Sequence, residues 1–199
     1  MYRAITWLAL QQGISMDDTE ALGALAEANP VSLPDSLEPE TLEHEGSSQV
    51  RVAGHSVGPE LRDSQVTGKV SLISRISQVR TALVKQQRAI GDQGDIIMVG
   101  RDIGTVVLPD ADLKVFLTAS AEVRAKRRWQ EMQIQGQDVD LRQVLQETKA
   151  RDELDTLRAD SPLVPAVDAL QVDTDGINAE QVVEALLAHI RRLSQSDLS

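Results

Sequence analysis

Cysteine is absent, so the chain has no disulfide framework, no thiolate nucleophile and no cysteine-ligated zinc. Aromatic residues are scarce at 2%. Only Tyr2, Trp7, Phe116 and Trp129 carry rings, so a nucleobase would be read mainly by hydrogen bonds. The same shortage excludes the stacking platform that single-stranded nucleic acid needs. Positive charge is the scarcer sign: 20 Lys and Arg stand against 31 Asp and Glu, for a net charge of −11. The field of the whole molecule therefore opposes polyanions, and a phosphorylated ligand needs a local arginine cluster. The histidines His44, His55 and His189 lack metal-ligand spacing, and His189 reads as a half-buried structural residue. No run approaches the ~20 apolar residues of a membrane span. Ala4–Leu10 is at the short limit for a signal sequence, and Gln11-Gln12-Gly13 offers no small-residue cleavage site. A cytoplasmic protein with neither membrane nor nucleic-acid polymer as partner is expected.

A length of 199 residues with 41% hydrophobic and 26% charged content suits one soluble domain with a sizeable core. Residues 1–12 read as an amphipathic helix closed by Gly13, and a second helix starts near Asp17 or Asp18 and stops before Asn29-Pro30. From about residue 31 to 66 the character changes. Pro34, Pro39 and Pro59, Gly46-Ser47-Ser48 and the alternating Gln49–Ala53 predict a small β-rich insert rather than core. Val66, Val70, Ile73, Ile76, Val79 and Leu83 then follow helical spacing. Asp95–Val99 predicts a strand buried on both faces, and Leu113–Leu117 and Leu170–Asp173 predict two more. Between them, Ser120 caps a helix that passes Arg128, Gly136 interrupts it, and the helical pattern resumes over Asp140–Arg158. Asn178 and Gln181 form a capping box for a last helix striped with Val182, Val183, Leu186, Leu187, Ile190 and Leu193. Strands alternating with helices imply an α/β fold with a parallel sheet.

Two short blocks concentrate arginine and aspartate beyond what a core requires: Gly100-Arg101-Asp102-Ile103-Gly104-Thr105 and Arg151–Arg158. In the second, Arg151, Asp155 and Arg158 stand at i, i+4 and i+7 and share one helix face. Guanidinium binds phosphate bidentately and carboxylate accepts from sugar hydroxyls, so this face suits a small molecule with phosphate at one end and hydroxyls at the other. The alternative for the face is a solvated row of salt bridges. Gly100-Arg101-Asp102 follows an apolar run, the carboxyl edge where open parallel sheets bind ligands. Arg124, Arg127 and Arg128 lie a turn apart on one helix, a basic face that is otherwise merely solvated.

These blocks, with Val106–Ala111 and Ser161–Ala166 continuing them, resemble the bacterial cytidylate kinases, a family of nucleoside monophosphate kinases. The resemblance implies a P-loop kinase-like parallel sheet flanked by helices. It implies an insert over about 31–66 that closes on the monophosphate and a lid region over about 124–158. Arg3 and Arg101 would then bind the monophosphate, Asp102, Ser71 and Arg80 would read cytosine, and Arg151, Asp155 and Arg158 would hold ribose and phosphate. Arg124, Arg127 and Arg128 would neutralise the transferring phosphoryl group. For Ser71, a solvated helix position remains open. Ser71 and Arg80 are about two and a half turns apart on a straight helix, on opposite sides. The resemblance therefore requires a break between them, which Ser77 as a second cap would supply.

Nowhere does the chain contain Gly-x-x-x-x-Gly-Lys-Ser/Thr, the loop whose amides and lysine cradle ATP phosphates and whose hydroxyl holds magnesium. Gly68-Lys69-Val70 lacks the earlier glycine and the hydroxyl. In the family that loop and two strands precede the position of Met1, so an N-terminally incomplete domain is expected: a downstream start, or a piece of a longer chain such as a fusion behind pantoate ligase. The expected reaction takes ATP as co-substrate, with magnesium carried by the nucleotide, and converts CMP or dCMP to the diphosphate. The alternatives are a catalytically inactive nucleotide-binding or regulatory protein and a kinase for another nucleoside monophosphate.

Overall fold

A computed structural model of the chain describes residues 1–32, 50–134, 136–157 and 161–196. Those residues fall into two compact units, Met1–Pro109 with Leu154–Val164, and Asp110–Glu153 with Pro165–Ser199. Among the described residues no helix is long and apolar enough to cross a membrane.

The first unit begins with α1 (Tyr2–Gln11), which buries Ala4, Ile5, Leu8 and Ala9 on one stripe. Gly13 ends it at φ +66°, a conformation in which a side chain would be strained. In α2 (Thr19–Ala28), the Asp18 carboxylate caps the start by accepting from Ala21 N at 3.0 Å. Three short strands follow, β1 (Val31–Ser32), β2 (Val50–Val52) and β3 (His55–Val57), paired antiparallel in that order. The region expected to be an insert rather than core supplies Val31, Val52 and Val57, which are buried in the same cluster as α1 and α2. Alternation explains the difference: a half-buried strand puts every second valine inside whether or not it belongs to an insertion. Residues 33–49 of that region lie outside the described ones.

The helical pattern after Val66 divides into α3 (Ser64–Ile73) and α4 (Ser77–Gly91). The break required between Ser71 and Arg80 is therefore present. Ser77, however, is the first residue of α4, and Ile76 occupies the cap position without a side-chain bond. The turn is held instead by Ser74 N on Val70 O at 2.9 Å and by Arg80 Nη1, which donates to Ser74 O at 3.3 Å.

Asp95–Val99 is not a strand. Ile97 is 94% exposed and Val99 91%, and no strand among the described residues pairs with the segment. An apolar run supplies β propensity, but without a neighbouring ladder its backbone groups remain with water. A π-helical turn, Ile103–Val107, follows it.

The second unit contains β4 (Val115–Thr118) and β5 (Leu170–Asp173), parallel and in register from Val115↔Leu170 to Thr118↔Asp173. Its helices are α5 (Ala121–Ile134), α6 (Leu141–Thr156), whose last turn is counted with the first unit, and α7 (Ala179–Ser196). Ser120 Oγ accepts from Val123 N at 3.3 Å, the expected cap of α5. Asn178 and Gln181 bond reciprocally at 2.9 Å, the expected capping box. The α7 stripe is only partly covered, with Val183, Leu187 and Ile190 at 54%, 45% and 42% exposure.

Ion pairs tie this unit together. Lys149 reaches Glu122 at 2.8 Å, and Lys114 reaches Asp168 at 2.6 Å. The Lys149 hydrogen bond holds Glu122 below its ordinary value of 4.5, and the Lys114 bond holds Asp168 below 3.8. Ser120, first through its side chain and then its backbone, holds Asp175 below 3.8 as well. Carboxylates depressed in the folded state contribute stability that is present above their unfolded values and is lost as pH falls through the folded ones. The helical circular dichroism of the 199-residue chain is expected to fall as the pH drops below about 4, with a component that high salt weakens. A signal unchanged by acid and by salt would contradict this.

Candidate active site

In the first unit, the residue pair Arg101-Asp102 leads from the exposed Asp95–Val99 segment into the π-helical turn. Asp102 is 8% exposed and Arg80 is 4% exposed, and the Arg80 Nη2 donates to Asp102 Oδ2. A buried guanidinium and carboxylate compensate one another, and removing either strands the other. Arg80 is further fixed by Ser74 O and by the ring of Tyr2, whose centroid is 5.9 Å from the guanidinium carbon. Arg101 forms a second ion pair with Asp155, which is 3% exposed and whose carbonyl accepts from Leu163 N at 3.0 Å. Two adjacent residues of opposite charge thus each hold a partner drawn from a distant part of the sequence. Arg3 Nη1 donates to Leu61 O and Thr67 Oγ1, both at 2.8 Å, which sets its guanidinium between α1 and the start of α3. Ser71 is half-buried on α3, and its carbonyl accepts from Ser74 Oγ at 3.1 Å.

In the second unit, Arg124 is bidentate on Asp152, at 2.8 and 2.6 Å, and its Nε donates to Ala119 O at 3.0 Å. By accepting these hydrogen bonds, the Asp152 carboxylate raises the Arg124 pKa above its ordinary value. Arg127 donates to Thr174 Oγ1, Thr174 O and Ile177 O at 3.1, 2.6 and 3.3 Å. Arg128 has no ion pair among the described residues. The basic face expected to be open is therefore partly occupied, because carboxylate and carbonyl oxygens of the same unit lie within reach of two of its three arginines. Arg151 lies on α6, and Arg158 lies outside the described residues.

Sequence reasoning singled out Arg80, Arg101, Asp102 and Asp155, and the structure joins them in two pairs. It missed Thr67 and Arg88, which belong to no motif, and the partner of Asp152. Asp152 sits inside the second block beside Arg151, and only its partner Arg124, far away in sequence, distinguishes it from a solvated acid. A depression of about 310 Å³ lined by Asn29, Pro30, Arg51 and Gly54 among others contains none of these residues.

The turn at Arg101-Asp102 thus carries two arginine–aspartate pairs. The chain belongs to the cytidylate kinase family, whose model matches residues 1–192. It is 43% identical to a cytidylate kinase of Desulfitobacterium hafniense over 94% of this chain and 77% of that one. A cytidylate kinase of Caldanaerobacter subterraneus is 40% identical over 100% of this chain and 83% of its own. A bifunctional pantoate ligase/cytidylate kinase of Synechococcus is 43% identical over 97% of this chain, which spans 35% of that longer protein.

Proposed function

We propose that this chain serves the ATP-dependent phosphorylation of CMP and dCMP to CDP and dCDP, as a cytoplasmic enzyme of small molecules, and that its residues form the acceptor side. The observation that supports this best is the two ion pairs made by consecutive residues, Arg80–Asp102, buried, and Arg101–Asp155, in which only the aspartate is buried. The cytosine amino group is a donor, which the Asp102 carboxylate can accept, and Ser71 and Arg80 flank it as base-reading groups. Arg3, Arg101 and Arg158 hold the monophosphate, and at Arg3 and Arg101 a phosphate takes over bonds made to Leu61 O, Thr67 Oγ1 and the Asp155 carboxylate. Arg151 and Asp155 hold the ribose. Arg124, Arg127 and Arg128 belong to a lid over about 124–158, in which Arg128 supplies charge without first breaking an ion pair. The region over about 31–66 closes on the monophosphate, and the sheet is that of a P-loop nucleoside monophosphate kinase.

When bound, ATP supplies the phosphoryl group and its phosphates carry magnesium. The residues present do not fit the usual cradle for those phosphates, because Gly-x-x-x-x-Gly-Lys-Ser/Thr occurs nowhere in the chain. Base reading is separable from this. Asp102→Asn keeps an oxygen that accepts from Arg80 but gains an amide that can donate to a uracil carbonyl. The ratio of CMP to UMP affinity is expected to fall about tenfold, one lost bidentate-type discrimination at the low end of its range. Equal losses for CMP and UMP would remove Asp102 from base reading, and a ratio favouring AMP in the parent chain would favour a different monophosphate.

A further inference from the structure

Arg88 belongs to no motif, yet it makes two of the most specific contacts in the first unit. Its Nε donates to Val107 O at 3.1 Å and its Nη2 to Val106 O at 2.7 Å. These are carbonyls at the end of the π-helical turn Ile103–Val107. The other end of that turn is Asp102 itself, whose carbonyl accepts from Val106 N at 2.9 Å and Val107 N at 3.3 Å. A helix terminus leaves carbonyls without intrahelical donors, and a guanidinium there both satisfies them and opposes their partial charge. Arg80 and Arg88 lie on the same helix, α4, eight residues or about 12 Å apart along its axis. One helix therefore braces the turn at both ends, Arg80 on the Asp102 side chain and Arg88 on the closing carbonyls. Just beyond Arg88 the packing is close: a Cβ added at Gly91, the last residue of α4, would stand 2.6 Å from a methyl carbon of Leu108, the residue after the turn.

We propose that Arg88 is a positioning residue for base recognition. By holding the Ile103–Val107 turn against α4, it fixes where Asp102 presents its carboxylate, and so sets the preference for cytosine over uracil without touching the nucleotide. This rests on the reading of Asp102 as the base-reading carboxylate. A single-turn π-helix is a rare, irregular element, frequent at functional sites. Arg88 braces it from a surface position, with two charge-assisted bonds at once.

The test compares the full chain with Arg88→Met, Arg88→Lys and a core control, Leu8→Ala, which loosens the core cluster of the same unit. Amide hydrogen exchange at Val106, Val107 and Leu108 and the affinities for CMP and UMP are read on each. Arg88→Met is expected to speed exchange at these three amides about fivefold, to weaken CMP binding about fivefold and to lower the CMP to UMP ratio. Lysine can make one contact instead of two, so Arg88→Lys should fall between Met and the parent. Leu8→Ala should speed exchange across the core and leave the ratio unchanged. Unaltered exchange in Arg88→Met, or faster exchange with an unchanged ratio, overturns the proposal. A parent chain that binds UMP as well as CMP overturns the reading of Asp102, and Arg88 then stands only as a clamp on the turn.

Discussion

Residues 1–199 by themselves, incubated with ATP, magnesium and CMP, are expected to yield no appreciable CDP. Phosphoryl transfer asks little covalent chemistry of a protein; it asks for in-line positioning and for charge along the path of the phosphoryl group. On the reading proposed above, Arg3, Arg101 and Asp155 hold the acceptor. For the donor, no stretch of the sequence offers a ring of backbone amides followed by lysine and a hydroxyl. Arginines of α5 do not replace such a ring. They supply positive charge, but they do not fix the direction from which the γ-phosphoryl group is attacked, and Arg124 and Arg127 already hold Asp152 and Thr174. Orientation of two reactants is worth about 7–11 kcal/mol of a barrier, enough to take turnover below detection. Product analysis after long incubation is the measurement. Steady CDP formation from these residues alone would mean that the donor binds in a way that the sequence does not foreshadow.

The second large effect concerns folding. Arg80→Met is expected to reduce the unfolding free energy of the first unit by about 3–5 kcal/mol, the range for breaking one half of a buried ion pair. Asp102, 8% exposed, would be left as a carboxylate without its counter-charge, and the carbonyl of Ser74 would lose the donor that holds the α3–α4 break. Asp102→Asn should cost less, since its amide oxygen still accepts from Arg80. Combining Arg80→Met with Asp102→Leu should recover part of the loss, because two apolar groups of similar shape strand nothing. Urea unfolding followed by Trp7 in a Trp129→Phe background reads this unit selectively, as Trp7 packs edge-on to His55 at 5.6 Å within it. Additive losses in the double variant, or a loss under 1 kcal/mol in Arg80→Met, would show that the pair is screened by solvent, as surface pairs are at about 0–1 kcal/mol.

Local signals were legible where local chemistry decides the outcome. Asp18, Ser120 and the Asn178/Gln181 box each make the capping bonds that their positions imply. Leu170–Asp173 is β5 to the residue, because an alternating run next to a parallel partner has its ladder at hand. Asp95–Val99 carries an equally apolar pattern and forms no strand, since a strand depends on a neighbour that sequence pattern alone does not supply. The same distinction runs through the site. Arg101, Asp102 and Asp155 stand out by residue type and spacing, but their pairing does not: it joins positions separated by long stretches of chain. Nothing local marks Arg88, whose partners are main-chain carbonyls that every residue possesses. The π-helical turn that it closes has no composition of its own either.

Calorimetric titration of the 199-residue chain with CMP, UMP and AMP, with the mixtures then assayed for diphosphate, tests the central claim most directly. Saturable binding of CMP, stronger than that of UMP and AMP and without conversion in the presence of ATP, is the predicted result. Binding of all three with equal affinity, or no saturable binding of CMP by a folded chain, would contradict it.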